Sequence, residues 1–179
     1  MSRLTVYDDG APEAPILRTE DPERIASELS AIGVAFERWE SPVAVGPDEE
    51  AERVLEAYRP HLDRLMGASD AGSADVIRLR PGAANYEPLR AKFLSEHTHT
   101  EDEVRFFVDG GGSFVLHVNG RVYDAHCTQG DLIAVPANIK HWFDAGPEPN
   151  FTALRVFTDT SGWVPHYTGD AISERFPVS

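Results

Sequence analysis

Glu96-His97-Thr98-His99-Thr100-Glu101-Asp102-Glu103-Val104-Arg105-Phe106-Phe107 sets two histidines one residue apart and ahead of a glutamate. Much later comes His141. Imidazole nitrogens and a carboxylate, with no thiolate near them, suit first-row divalent metals and leave coordination positions for substrate and oxygen. In extended chain, side chains alternate faces, so His97, His99 and Glu103 share one face. On a helix His97 and His99 would point well apart. Arg105 and Phe107 continue the parity of Glu103, while Val104, Phe106 and Val108 face the other way. The stretch predicts a β-strand carrying a metal centre of His97, His99, Glu103 and His141, and the chain reads as a non-haem metalloenzyme.

Turn signals punctuate the chain downstream of Phe107. Gly110-Gly111-Gly112 predicts a turn, Ser113 to Val118 a strand, and Asn119-Gly120 a two-residue hairpin. Arg121 to Tyr123 resumes a strand. Gly130-Asp131 opens an apolar strand that Pro136 ends, and Phe151 to Phe157 makes another. Short strands at regular intervals describe a small antiparallel barrel or jelly roll.

His-x-His-x3-Glu-x6-Gly (His97 to Gly110) and Gly-x5-Pro-x4-His (Gly130 to His141) resemble the two motifs of the cupin superfamily. The chain departs from that pattern at Ala91, Asn138 and Ala145, where glycine, glycine and asparagine are usual. A narrower set of segments is similar to the acireductone dioxygenases of methionine salvage. These are Lys92-Phe93-Leu94, Glu96 to His99, Glu101 to Phe107, Val135-Pro136-Ala137, His141 to Asp144, Gly162-Trp163 and Thr168-Gly169-Asp170. The resemblance spans residues 75–177 closely and touches Gly33 to Trp39. It implies one Fe(II) or Ni(II) per chain and the substrate 1,2-dihydroxy-5-methylthio-1-penten-3-one, cleaved by O2. It implies formate and 4-methylthio-2-oxobutanoate with Fe(II), and formate, carbon monoxide and 3-methylthiopropanoate with Ni(II). The residues alone leave open another cupin oxygenase, a metal isomerase, or a metal-holding module without turnover.

Composition excludes other classes. The 179 residues carry 30 acidic against 16 basic side chains, a formal net charge of −14. A nucleic-acid binder needs a basic patch for phosphates, and no Lys/Arg cluster exists. One cysteine, Cys127, permits no internal disulfide and suits a reducing, cytoplasmic setting. No apolar run approaches the length of a membrane span, and the N-terminal residues read as a first strand rather than a signal peptide. A monomer is the default expectation.

One domain is expected: residues 1–74 supply a first strand and helices packed on the barrel, and 75–179 form the metal-binding barrel. Asp21 caps a helix begun by Pro22 and ended at Gly33. Gly33 to Trp39 is a strand. Asp48 opens a second helix, which Pro60 kinks or restarts. Asp75 to Leu79 is a strand, and Pro88 to Phe93 a short helix.

Arg105, on the metal's face, can grip an anionic oxygen and hold developing negative charge, and the resemblance assigns it to substrate binding. Phe93, Phe143 and Trp163 are core aromatics or the wall of a substrate pocket. Arg155, mid-strand among apolar residues, is expected to pair with an acid inside, and it joins the substrate-binding set. Glu96, Glu101 and Asp102 crowd the ligands. They are a solvated acidic turn, or they orient a ligand histidine or accept a substrate proton; Glu96 and Asp102 join Arg105 as catalytic candidates. His61, His117, His126 and His166 lack ligand spacing and read as structural or surface residues.

Overall fold

The computed structural model describes residues 1–40, 43–46, 48–68, 73–84, 86–157 and 164–176 (of Ala68, the backbone only). The elements run β1 (Arg3–Asp8), β2 (Pro15–Thr19), α1 (Pro22–Ser30), β3 (Ala35–Arg38), α2 (Ala51–Ala57), α3 (Arg59–Ala68), β4 (Ser73–Leu79) and α4 (Tyr86–Leu94). Then come β5 (His97–Thr98), β6 (Glu103–Val118), β7 (Arg121–Thr128), β8 (Asp131–Val135), β9 (Lys140–Asp144), β10 (Phe151–Phe157) and β11 (His166–Tyr167). A 3-10 turn, Ile172–Arg175, comes last.

β6 organises the molecule. Its first half pairs with β10 and β8, and its second half with β7 and β9, all antiparallel. One sheet therefore runs β11-β5-β9-β6-β7-β1-β2. The other holds β4, β10, β8 and β3 around the same strand. The jelly-roll expectation holds, although the sheets do not close into a barrel.

The glycine triplet is not a turn, as the sequence predicts, but the bend at which β6 passes from one sheet to the other. Gly110 has φ +64, and a β-carbon there would strike the Asn150 carbonyl. A β-carbon on Gly112 would strike the Phe143 ring. The triplet thus lets backbone and ring approach closely in mid-strand. The Asn119-Gly120 hairpin forms as expected, both residues at positive φ (52 and 72) between Val118 and Arg121.

The helices match their signals with shifted ends. Asp21 Oδ1 accepts from Glu23 N at 3.0 Å at the start of α1, but the helix stops at Ser30, before Gly33. The second helix begins at Ala51, not Asp48, and its cap, Glu50, makes no side-chain hydrogen bond. Pro60 stands where a helix can tolerate it, in the first turn of α3.

Strand alternation sorts the core. Phe107, Phe114, Phe143, Phe151 and Ile133 fill the space between the sheets, joined by Ile25 and Leu29 of α1 and Phe93 of α4. Val104, Phe106 and Val108 face outward and meet Val54, Tyr58, Leu62 and Leu65 of α2 and α3. On the outer face of the other sheet, Ile172 and Phe176 cover Trp142, Val115 and Val122. Full burial of each such side chain stabilises by about 1.5–3 kcal/mol. Among the described residues no helix is long and apolar enough to cross a membrane.

Candidate metal centre

His97, His99 and His141 are brought together. His97 pairs with His141 across β5 and β9, and one ring nitrogen from each of the three lies within 4.8 Å of the others. The single extended strand read from the sequence is in fact two, β5 and β6, and His99 sits in the link between them. Convergence survives because the link returns Glu103 toward the histidines: its Oε2 lies 3.3 Å from His99 Nε2 and 3.4 Å from His141 Nε2.

Backbone carbonyls fix the rings. His97 Nδ1 donates to Ser95 O at 2.7 Å, His99 Nδ1 to Val164 O at 3.1 Å and His141 Nδ1 to Ile139 O at 2.9 Å. A carbonyl only accepts, so each Nδ1 carries a proton, which leaves Nε2 as the ring nitrogen each histidine can offer a metal. His141 Nε2 is buried and has no hydrogen-bond partner among the described residues. Three imidazole nitrogens and a carboxylate oxygen therefore converge on one point, a set of nitrogen and oxygen donors that a divalent cation satisfies.

The electrostatics agree. Burial, then the charge of His141, lowers the His97 pKa to about 4. The ring is neutral at neutral pH, with no proton for a metal to displace there. Burial would raise Glu103, but Arg105, with His141 and His99 beside it, holds its carboxyl well below the usual range. In the metal-free protein both groups act in one direction. Unfolded histidine takes up a proton below its usual 6.5, while folded His97 resists until about 4. Stability therefore falls as pH drops through that window, and Glu103 adds a loss as its buried pair is protonated. Denaturation of metal-free protein at pH 7 and pH 5 is expected to differ by about 2 kcal/mol from His97 alone. Equal stabilities at the two pH values would show that the ring is not held neutral.

Arg105 is 2% exposed, and its Nη2 donates to Glu103 Oε1 at 2.5 Å. Its guanidinium lies 4.7 Å from the Phe114 ring centre and 4.6 Å from that of Phe143. Nε and Nη1 are buried without a partner among the described residues. Arg155 stands directly across from Arg105 in register, paired with Asp75 at 2.6 and 3.0 Å as expected of a mid-strand arginine. Phe93 is buried in the inner core cluster that also holds Phe143. Trp163 lies outside the described residues.

The acidic candidates separate. Asp102 is exposed, and its Oδ1 accepts from Ala137 N at 2.8 Å. Glu96 is buried, and neither oxygen bonds a ligand imidazole: Oε2 is bound by His117 and Oε1 by Thr168. His117 has no ligand spacing and carries no signal in the sequence, while Thr168 is marked only through the Thr168-Gly169-Asp170 segment of the resemblance. His61, by contrast, packs against Trp39, Tyr58 and Phe106, as a structural histidine does.

Jelly-roll sheets around three inward-facing imidazoles make this a cupin-fold metalloenzyme. A model described as the ARD/ARD′ family matches residues 3–165, and the chain belongs to that family. It is 69% identical over 179 residues to an acireductone dioxygenase of Granulibacter bethesdensis, with 100% of both chains covered. It is 64% identical to one of Acidiphilium cryptum, covering 100% of this chain and 99% of that one. A solved acireductone dioxygenase from Bacillus anthracis, with a cadmium ion in its active centre, superposes with a TM-score of 0.81 at 30% identity, covering 93% of this chain and 98% of that one. The chain is a metal-dependent dioxygenase.

Proposed function

We propose that the chain cleaves the acireductone 1,2-dihydroxy-5-methylthio-1-penten-3-one with O2, and that His97, His99, Glu103 and His141 hold one Fe(II) or Ni(II). The observation that carries the reading is the Arg105 guanidinium, buried beside Glu103 with two nitrogens unpartnered among the described residues. Unsatisfied donors on a buried cation are costly, and an anionic substrate oxygen relieves them. The relatives' names supply the substrate class.

The bound metal supplies Lewis acidity toward the oxygens of an ene-diolate. Glu103 divides its carboxylate, Oε2 toward the imidazoles and Oε1 to Arg105. Arg105 binds and orients the anionic oxygen and stabilises its charge in a site of low dielectric. Phe114 and Phe143 hold the guanidinium plane and exclude water from it. Phe93, in the same inner core as Phe143, and Arg155, across from Arg105 and paired with Asp75, complete the proposed substrate-binding set, with Trp163 a member that lies outside the described residues. Asp102, next in the chain to Glu103, takes the substrate proton in this reading in preference to Glu96, both of whose oxygens are engaged elsewhere.

The donor set contains no thiolate, so it has little means of refusing either metal. Stripped protein reloaded with Fe(II) is expected to give formate and 4-methylthio-2-oxobutanoate, and with Ni(II) formate, carbon monoxide and 3-methylthiopropanoate. Oxygen uptake and product analysis on one metal-free preparation test this. No oxygen uptake with either metal overturns the activity. Identical products from both remove only the control by metal.

A further inference from the structure

Glu96, His117, Asp9 and Thr168 form a connected set of side chains that the metal centre does not use directly. Glu96 is 1% exposed and immediately precedes His97. His117 Nδ1 donates to its Oε2 at 2.7 Å, and the Thr168 hydroxyl donates to its Oε1 at 2.7 Å. The Thr168 N–H also donates to the Glu96 carbonyl at 3.1 Å. On the far side, His117 Nε2 lies 3.2 Å from Asp9 Oδ2. Two segments distant in sequence meet at one buried carboxylate, the end of β6 and the chain beyond β11, and a third, the turn after β1, reaches it through His117.

We propose that Glu96, His117 and Thr168 are positioning residues for the metal centre, fixing the strand that carries His97 and fastening residues 164–168 across it. The inference rests on the reading of His97, His99 and His141 as metal ligands. β5 is only two residues long and lies between β9 and β11. A strand that short has no register of its own, so its place is set by what anchors its ends. A buried carboxylate is costly unless fully hydrogen-bonded, and Glu96 reaches that state only when β6 and the Thr168 segment are both docked.

The anchor reaches the ligands by two routes. Directly, Glu96 sets where the backbone enters His97, and Tyr167, beside Thr168, pairs with His97. Indirectly, the tie at Thr168 holds the segment whose Val164 carbonyl accepts from His99 Nδ1. Both imidazoles thus take their orientation from the same clamp. Groups that orient metal-bound histidines set affinity by about 10- to 100-fold.

A residue that merely stabilises the fold would lower the melting temperature of the metal-free protein and leave the affinity of the folded site alone. Affinity for Co(II) and the visible spectrum of the Co(II)-loaded protein separate the two roles. His117→Phe keeps a ring and removes both donors, and Thr168→Val replaces one hydroxyl by a methyl. Each is expected to weaken Co(II) binding by about tenfold or more and to shift the Co(II) bands. His117→Asn keeps a donor near the position of Nδ1 and is expected to recover much of the loss. Wild-type affinity and bands in both His117→Phe and Thr168→Val overturn the inference, whatever happens to melting. If His117→Phe does not fold, Thr168→Val, at an exposed position, decides alone: wild-type affinity and bands in it overturn the inference. Wild-type protein that binds no Co(II) overturns the ligand reading and this inference with it; wild-type binding with unchanged variants overturns this inference alone.

Discussion

His141→Ala is expected to empty the metal centre and abolish turnover. His141 is 2% exposed, its Nε2 has no hydrogen-bond partner among the described residues, and its ring lies 4.6 Å from that of His97. Removing it takes away one of three imidazoles and leaves a cavity that a water cannot make into an equivalent nitrogen donor. Changes that only reorient a ligand cost about 10- to 100-fold in metal affinity, so loss of the ligand itself is expected to exceed roughly a hundredfold. The fold should survive, because β9 keeps its ladder to β6 and Phe143 and Trp142 stay packed. Metal content per chain and oxygen uptake measure the two effects. A variant with full metal and full activity would remove His141 from the site.

Arg105→Lys is the second large effect, and it should separate binding of the metal from handling of the substrate. Lysine keeps a charge within reach of Glu103, so the carboxylate retains a counter-ion and the metal is expected to remain. The planar fork is lost. One ammonium cannot bond Glu103 as Nη2 does and also present donors where Nε and Nη1 lie between the Phe114 and Phe143 rings. kcat/KM should fall by roughly tenfold or more, about 1.4 kcal/mol of transition-state stabilisation. Arg105→Met is predicted to destabilise the metal-free protein as well: without a metal it leaves Glu103 as an uncompensated buried charge, which costs about 3–5 kcal/mol of stability. Steady-state kinetics with metal content matched to wild type decide the matter, and unchanged kinetics in Arg105→Lys count against the substrate role.

The parts legible in the sequence were those set by local chemistry. Period-two alternation from Glu103 to Val108 sorts Arg105 and Phe107 inward and Val104, Phe106 and Val108 outward, as the two core clusters show. Asn119-Gly120 announces its own hairpin. The glycine triplet was illegible because glycine serves a turn and a close approach equally. What decides between them is the Asn150 carbonyl and the Phe143 ring, both remote in sequence. The start of α2 slipped because Asp48 is a good capping residue that the chain does not use. His117 carries no spacing signal at all. Its importance comes from Glu96 and Asp9, which only the folded sheets bring to it.

The order in which the chain is made gives the segment from Val164 to Phe176 a further meaning. Synthesis delivers the chain from its N-terminus, whereas a domain folds as a unit. When the last of the ligands, His141, has been added, β5 still lacks its β11 neighbour, His99 still lacks the Val164 carbonyl, and Glu96 still lacks the Thr168 hydroxyl. All three contacts need this later stretch, whose Ile172 and Phe176 pack with Trp142. A nascent chain therefore carries all four proposed donors before it has a finished cradle, and if the clamp acts as proposed, tight retention of the ion waits for residues outside the donor set.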